Sequence, residues 1–348
     1  MTLLESKVYM QDINKVLLNI NSFDQIKNKS LFITGCNGLI CSSLVDLLII
    51  ANTKLNLNIR IFLASRNVQK TKQRFINSSC CEYIEYDSTK PLVFKDNADY
   101  YIHGASNASP DKIIKEPVET IISNIYGLKE ILNKAGNNRV LYISSSEVYG
   151  NIITDNPIEE NQIGTLEILN PRSSYGQSKR TAETLCSSYI SEYNSNVVIA
   201  RPGHIYGPTA SKNDIRVSSQ FMYNAAEGKD LVLKSEGLQL RSYTYCLDCA
   251  SALFTILTKG KTGEAYNISN KHSIISIAQM AQLYADYANV KLLFELPKKE
   301  EIKAFNPMNN SSLDSKKLET LGWQPCFTKE EGFKNSISII KELLNEVC

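Results

Sequence analysis

Short apolar runs alternate with amphipathic stretches through the first two hundred residues. "LFITG" opens the series and leads into the helical run "LICSSLVDLLIIAN". "IRIFLAS" follows, then helix "NVQKTKQRFI", strand "CEYIEY" and strand "ADYYIHGAS". A long helical stretch, "PVETIISNIYGLKEILNKAG", stops at Gly136. Beyond it come strand "RVLYISSS", a loop rich in Asn, Pro and Gly, helix "SYGQSKRTAETLCSSYISEY" and strand "NVVIARP". Buried strands separated by helices predict parallel β-α-β units in an α/β, doubly wound sheet. After Pro202 the alternation loosens. Short strands ("DLVLKS", "EAYNIS", "KLLFEL") mix with helices such as "SIAQMAQLYADYAN" and "TKEEGFKNSISIIKELLNEV". That pattern predicts a sheet domain over residues 30–202 and a smaller C-terminal α/β lobe over 203–348, with part of 241–262 returning to the sheet domain. Residues 1–29 form an extension, and "MTLLESKVYMQDINKVLLNI" predicts an amphipathic helix there. A ligand is expected in the crevice between the lobes, at the carboxyl ends of the strands.

Composition narrows the class. Of the 348 residues, 43% are hydrophobic and 21% charged, as in ordinary globular chains. A net charge of +2 gives no electrostatic case for nucleic acid or an anionic membrane as partner. Acids and amides inside the N-terminal apolar pattern argue against a signal peptide. "SLVDLLIIAN" is too short to span a bilayer and holds an aspartate. Nine cysteines, an odd number with Cys80 and Cys81 adjacent, argue against a disulfide framework and for a reducing, cytoplasmic setting. Cys246 and Cys249 form a CxxC. With no second pair and three histidines, they read as small buried thiols, and no metal site is expected.

"TGCNGLIC" lies between the first strand and its helix. Gly35 can adopt a conformation closed to other residues, and Gly38 lets the backbone approach a pyrophosphate. Leu39 and Ile40 open a helix whose unpaired N–H groups favour phosphate. Asn37 lies inside the turn. Cys41 stands where a third glycine would be expected, and is a small substitute. This makes the sheet a Rossmann-type dinucleotide binder in expectation. The second strand ends in Ser65 and Arg66 rather than an acid. A hydroxyl and a guanidinium suit a 2′-phosphate, so NAD and NADP both stay open. Asp87, with Ser88 after it, follows the third strand and is placed to meet the adenine.

"NPRSSYGQSKR" sets Tyr175 and Lys179 four residues apart, on one helical face. A phenol of pKa ~10 must fall by roughly three units to act as a base near neutrality, about 4 kcal/mol. An adjacent ammonium and a positive nicotinamide are expected to supply it. One strand earlier, "YISSSEVYG" places Ser145 to hydrogen-bond the reacting hydroxyl and Glu147 to point into the crevice.

With these motifs in order, the chain resembles the extended short-chain dehydrogenases/reductases of the nucleotide-sugar epimerase/dehydratase family. The resemblance runs from about Ser30 onward. It rests on "TGCNGLIC", "IHGASNASP", Asn124 in the long helix, "SSSEVYG", the Tyr175/Lys179 pair, "RPGHIYGP", "LQLRSYTYCLDC" and "LGWQP". Within the family, "ASNASP", "NDIRVSSQF" and "LQLRSYTY" resemble the branch that decarboxylates UDP-glucuronate. The resemblance implies a tightly bound NAD(P), with Ala105, Ser106 and Asn124 joining the cofactor site. It implies Ser145, Glu147, Tyr175, Lys179 and Arg241 as catalytic residues. Ser146, His204, Asn213, Arg216, Lys234, Gln239 and Arg241 would line the nucleotide-sugar site, within a homodimer built on the long helix and the Tyr/Lys helix. The implied chemistry removes the C4 hydride of a sugar nucleotide and acts on the ketone. A C5 carboxylate would then be lost as CO2. A 4-epimerase, then a 4,6-dehydratase, are the alternatives, and a non-catalytic NAD(P) sensor ranks last. Dehydratases carry an aspartate where this chain has Ser146. Two departures mark the substrate side. His204 replaces a common asparagine, and "FNPMNNSSLD" lacks the arginine that grips a diphosphate, with Asn310 or Ser311 near its place.

Overall fold

The computed structural model describes residues 2–76, 78–295 and 308–345. The chain enters through helix α1 (Lys7–Leu17), then β1 (Ser30–Thr34), α2 (Leu39–Leu55), β2 (Arg60–Ser65), α3 (Val68–Arg74), β3 (Cys81–Glu85) and β4 (Tyr100–His103). It continues with α4 (Pro110–Lys115), α5 (Pro117–Ala135), β5 (Arg139–Ile143), α6 (Ser174–Tyr193) and β6 (Val197–Pro202). The second half holds β7 (His204–Tyr206), α7 (Val217–Ala226), β8 (Leu231–Leu233), β9 (Leu240–Tyr245), α8 (Cys246–Lys259), β10 (Ala265–Ile268) and β11 (Ile274–Ser276). It ends with α9 (Ile277–Ala288), β12 (Leu292–Phe294), α10 (Lys316–Glu319) and α11 (Lys329–Asn345).

Seven parallel strands form the main sheet in the order β10-β6-β5-β4-β1-β2-β3. Their apolar runs are continuous because both faces are covered. Alternate side chains enter different cores. Leu31 and Ile33 of β1 join α2 and α8 on one face, whereas Phe32 meets Leu128 and Ile131 of α5 on the other. The order reverses beside β1, which opens a crevice at its carboxyl end.

One expectation is corrected here. "EAYNIS", expected as a strand of the small lobe, is β10 of the main sheet, pairing Ala265 with Ile199 and Ile268 with Pro202. The helix before it explains the return. From Cys246 to Leu257 every residue of α8 is buried, so the helix must be covered on all sides. It packs on α2 and delivers the chain to the edge of β6. Cys246 and Cys249 lie fully buried within it. Trp323 is buried against α8 and donates its indole N–H to Ser251 Oγ (3.0 Å).

The smaller lobe centres on β9, flanked by β7 and β11, and on the β8–β12 pair. Rings of Tyr206, Tyr243, Tyr245, Tyr284 and Phe333 pack together beneath α9 and α11. The amphipathic helix expected near the N-terminus is α1, and its apolar face is part of the main core through Tyr9, Ile13 and Val16. Tyr9 donates to Asp46 Oδ2 of α2 (2.9 Å). Asp12 accepts from Tyr245 of β9 (2.9 Å) and Asn335 of α11 (2.8 Å). Asp46, the acid inside the apolar run of α2, is fully buried and paired with Arg74. No described helix is long and apolar enough to cross a membrane.

Candidate active site

The turn after β1 is locked by the backbone of two neighbours, Gly104 and Ala105. Gly35 has φ +70°, and a Cβ there would lie 2.6 Å from Gly104 C and O and 2.8 Å from Ala105 N. Only glycine meets both conditions. Gly38 caps α2 with an ordinary φ of −81°. Cys41 fills the third small position and is 3% exposed. Its sulfur lies where a side chain on Gly104 would be. The space that a third glycine would leave on α2 is thus taken by sulfur, and the end of β4 gives way instead.

Around this turn, polar atoms lie buried without partners. Asn37 donates to Thr71 Oγ1 (2.7 Å), which leaves its Oδ1 unpaired. Asn124 donates to Ser178 Oγ (2.9 Å), which leaves its Oδ1 unpaired, and Ser106 Oγ is also unpaired. Buried polar groups are normally satisfied, so these three, with the N-terminus of α2, fit a dinucleotide bound at the sheet's carboxyl edge. Ser65 bonds Thr71 (2.6 Å), and Arg66 is exposed. Asp87 accepts from the N–H and hydroxyl of Thr89 (3.0 and 2.9 Å). Ser88 packs against Gly127 of α5, which has no room for a side chain.

Ser145 leaves β5 and caps a single turn at Ser146–Tyr149, accepting the Glu147 N–H (3.2 Å). Small residues bring α6 close. A Cβ on Gly176 would lie 3.0 Å from the Glu147 carbonyl. Tyr175 therefore reaches Ser145, whose hydrogen bond favours the phenolate. Lys179 sits one turn on, donates to the Ile143 carbonyl (2.8 Å), and lies 5.8 Å from the Tyr175 ring centre. Beneath them, Glu183 holds Arg201 (2.6 Å) and Ser144 (2.6 Å), fastening α6 to β5 and β6.

The electrostatics depart from expectation. Burial pushes the Tyr175 phenol up to about 12, and Glu147 adds to the rise. Ser145, Arg216 and Arg172 oppose it. Burial brings Lys179 itself down to about 7, against the pull of Glu183. The same dry environment disfavours both charges, so the drop expected from the ammonium together with a positive nicotinamide is not supplied by the protein's own groups.

Glu147 does not point freely into the crevice. Arg172 holds it with a two-pronged grip, Nη1 to Oε2 at 2.9 Å and Nη2 to Oε1 at 2.8 Å. Sequence reasoning missed Arg172. It lies inside "NPRSSYG", but nothing local announces a partner 25 residues upstream.

On the substrate side, Arg241 is 3% exposed and donates to the carbonyls of Leu240 (2.8 Å) and Met308 (3.1 Å). Among the described residues, no carboxylate lies within ion-pair distance of it. His204 stands edge-on to Tyr243, ring centres 6.0 Å apart, with Nδ1 buried and unpaired. Burial, then the charges of Arg241 and Arg216, bring its imidazole down to about 3, so it is neutral. Gln239 Oε1 and Ser311 Oγ are also buried without partners, and Asn310 caps Ser312. Arg216 is tied to Asp214 (3.0 Å), and Asn213 and Lys234 are exposed. Phe305–Pro307 of the segment that lacks an arginine lie outside the described residues.

Known proteins share this chain's family pattern and fold. The model of the "NAD dependent epimerase/dehydratase family" matches residues 31–269. "UDP-glucuronic acid decarboxylase 6" of Arabidopsis thaliana is 31% identical over 312 residues, covering 88% of this chain and 87% of that protein. "dTDP-D-glucose 4,6-dehydratase" of Mus musculus is 27% identical over 328 residues, covering 89% and 88%. Among solved structures, epimerase Mth375 of Methanothermobacter thermautotrophicus superposes with a TM-score of 0.81 at 18% identity, covering 94% of this chain and 96% of that one.

Proposed function

We propose, since the chain belongs to the NAD dependent epimerase/dehydratase family, that it decarboxylates a nucleotide-linked uronic acid resembling UDP-glucuronate. The observation that carries this reading is Arg241, a buried guanidinium with no carboxylate partner among the described residues. An uncompensated buried cation is costly, and an anionic substrate group at that point offsets the cost.

The residues around Gly35 and Asn124 would hold NAD(P), which when bound accepts the C4 hydride of the sugar and returns it. Tyr175 takes the C4 hydroxyl proton, with Ser145 holding that hydroxyl in place. Lys179, anchored on the Ile143 carbonyl, orients the ribose side and adds positive charge once protonated. A C5 carboxylate seated on Arg241 leaves as CO2, with its electrons drawn into the C4 ketone. Glu147 manages the proton that replaces it. Ser146, a poor acid, weighs against loss of water from C6. The second reading is 4-epimerisation, which Ser145, Tyr175 and Lys179 support without help from Arg241.

The reading extends to a cytoplasmic homodimer built on α5 and α6. Its support is an outward apolar stripe on α5, where Val118 is 66% exposed, Ile121 40% and Ile122 42%. NAD is the favoured dinucleotide, and the exposed Arg66 would serve NADP. Incubating purified protein with a panel of nucleotide uronates and neutral nucleotide hexoses tests the reaction. Product masses separate loss of CO2, loss of water and a new sugar of unchanged mass. Untouched uronates beside reacting hexoses would rule the decarboxylase reading out.

A further inference from the structure

The Glu147–Arg172 pair is the feature that the reaction chemistry leaves unexplained. A lone carboxylate would suffice to handle a proton, yet this one is held by both prongs of a guanidinium. The pair is not a distant surface contact. Side-chain exposures are 37% for Arg172 and 32% for Glu147, and both charges act on the Tyr175 phenol. Arg172 leads directly into α6 through the turn Pro171–Ser173, and Glu147 belongs to the turn that Ser145 caps. The grip therefore spans the two segments that carry the reacting groups. A forked guanidinium fixes a carboxylate in direction as well as distance, which an ammonium does not do.

We propose that Arg172 is a positioning residue which clamps the Glu147 carboxylate beside Tyr175, so that the two act as one electrically balanced unit next to the reacting phenol. The proposal rests on the reading of Tyr175 as the base. The other groups facing that phenol are Ser145 from the β5 turn, Arg216 with its partner Asp214, Lys179 on the same helix, and Tyr142 of β5. None of them bridges Glu147 to α6. The balance has a sign. With Arg172 alone removed, the negative Glu147 faces the phenol uncompensated and the phenol is harder to ionise. With Glu147 alone removed, the positive Arg172 remains and the phenol ionises more readily. With both removed, the two effects cancel.

The test is the pH dependence of kcat/KM for the wild-type holoenzyme and for Arg172→Gln, Arg172→Lys, Glu147→Gln and the double variant Arg172→Gln/Glu147→Gln. The acidic limb is expected to move up by about one unit in Arg172→Gln, down by about one unit in Glu147→Gln, and to return near wild type in the double variant. Arg172→Lys keeps the charge and loses the fork, so its limb stays in place while kcat falls about tenfold. An acidic limb that does not move in Arg172→Gln overturns the proposal. If the wild type turns over no sugar in the panel, the reaction reading falls, and carbon-13 NMR of the Tyr175 ring decides the clamp. A phenol harder to ionise in Arg172→Gln than in wild type supports it, and an unchanged phenol overturns it.

Discussion

Cys41 and Gly104 show how one residue's volume can be balanced by another far along the chain. The sulfur of Cys41 occupies the place that a side chain on Gly104 would need. Gly104→Ala is therefore expected to weaken NAD binding at least tenfold by calorimetry, and Cys41→Gly to leave it unchanged. The double variant should recover most of the affinity, and no recovery would mean that the two positions are not coupled. The exchange was half legible. Cys41 could be recognised as a small residue in a glycine's slot, but the compensating glycine lies on another strand, and one sequence carries no sign of that contact. The reacting groups were easier to read because their spacing is local. Tyr175 and Lys179 are one helical turn apart in any α-helix. Tyr175→Phe is expected to cut kcat by about 10²–10⁴-fold with the fold intact, measured by turnover and circular dichroism. Arg172 escaped notice because its meaning lies in a partner and not in its position.

At the scale of elements, α1 and α8 carry the longest-range ties. Tyr9 and Arg74 both hold the buried Asp46, joining α1, α2 and α3. Arg74→Met leaves that carboxylate without its cation and should cost about 3–5 kcal/mol, whereas Tyr9→Phe should cost about 1–3 kcal/mol in denaturant titrations. Equal losses would show that Asp46 does not depend on its ion pair. At the start of α8, Asp248 accepts the Cys326 N–H (2.6 Å), while its second oxygen is buried and unpaired. Burial brings its carboxyl up to about 7, well above the unfolded value of about 3.9. Between those values the folded chain binds more protons than the unfolded one, so this group's contribution to stability falls as pH rises from about 4 to about 7 and is flat above. Asp12, pushed up by burial to about 6, acts in the same direction. Asp248→Asn should therefore raise the melting temperature at pH 8 more than at pH 5, and an equal shift at both would refute the assignment. Neither α1's role nor that of Asp248 could be read from pattern alone. Periodicity reveals an apolar face but not what the face will meet.

For the molecule as a whole, the alternation of strands and helices was enough to predict a doubly wound sheet with its crevice at the carboxyl edge. It misplaced one strand. "EAYNIS" follows a stretch that reads as a second lobe, and a three- or four-residue strand holds no record of its sheet. The signal was in α8, where buried residues on every side demand cover, which α2 and the main sheet supply together. The outward stripe on α5 makes a prediction at this scale. Ile121→Glu/Ile122→Glu should turn a dimer into a monomer in analytical ultracentrifugation without lowering the melting temperature of the monomer, and an unchanged sedimentation coefficient would discard that interface.

The contact between α1 and α11 also sets a timetable. Ser6 bonds Glu342, Asp12 bonds Asn335 and Lys15 pairs with Glu331, so α1 is completed by a helix made roughly 300 residues after it. At roughly 5–20 residues per second, the polar edge of α1 waits tens of seconds for that partner. The seam between α1 and α11 therefore cannot close until that helix has been made.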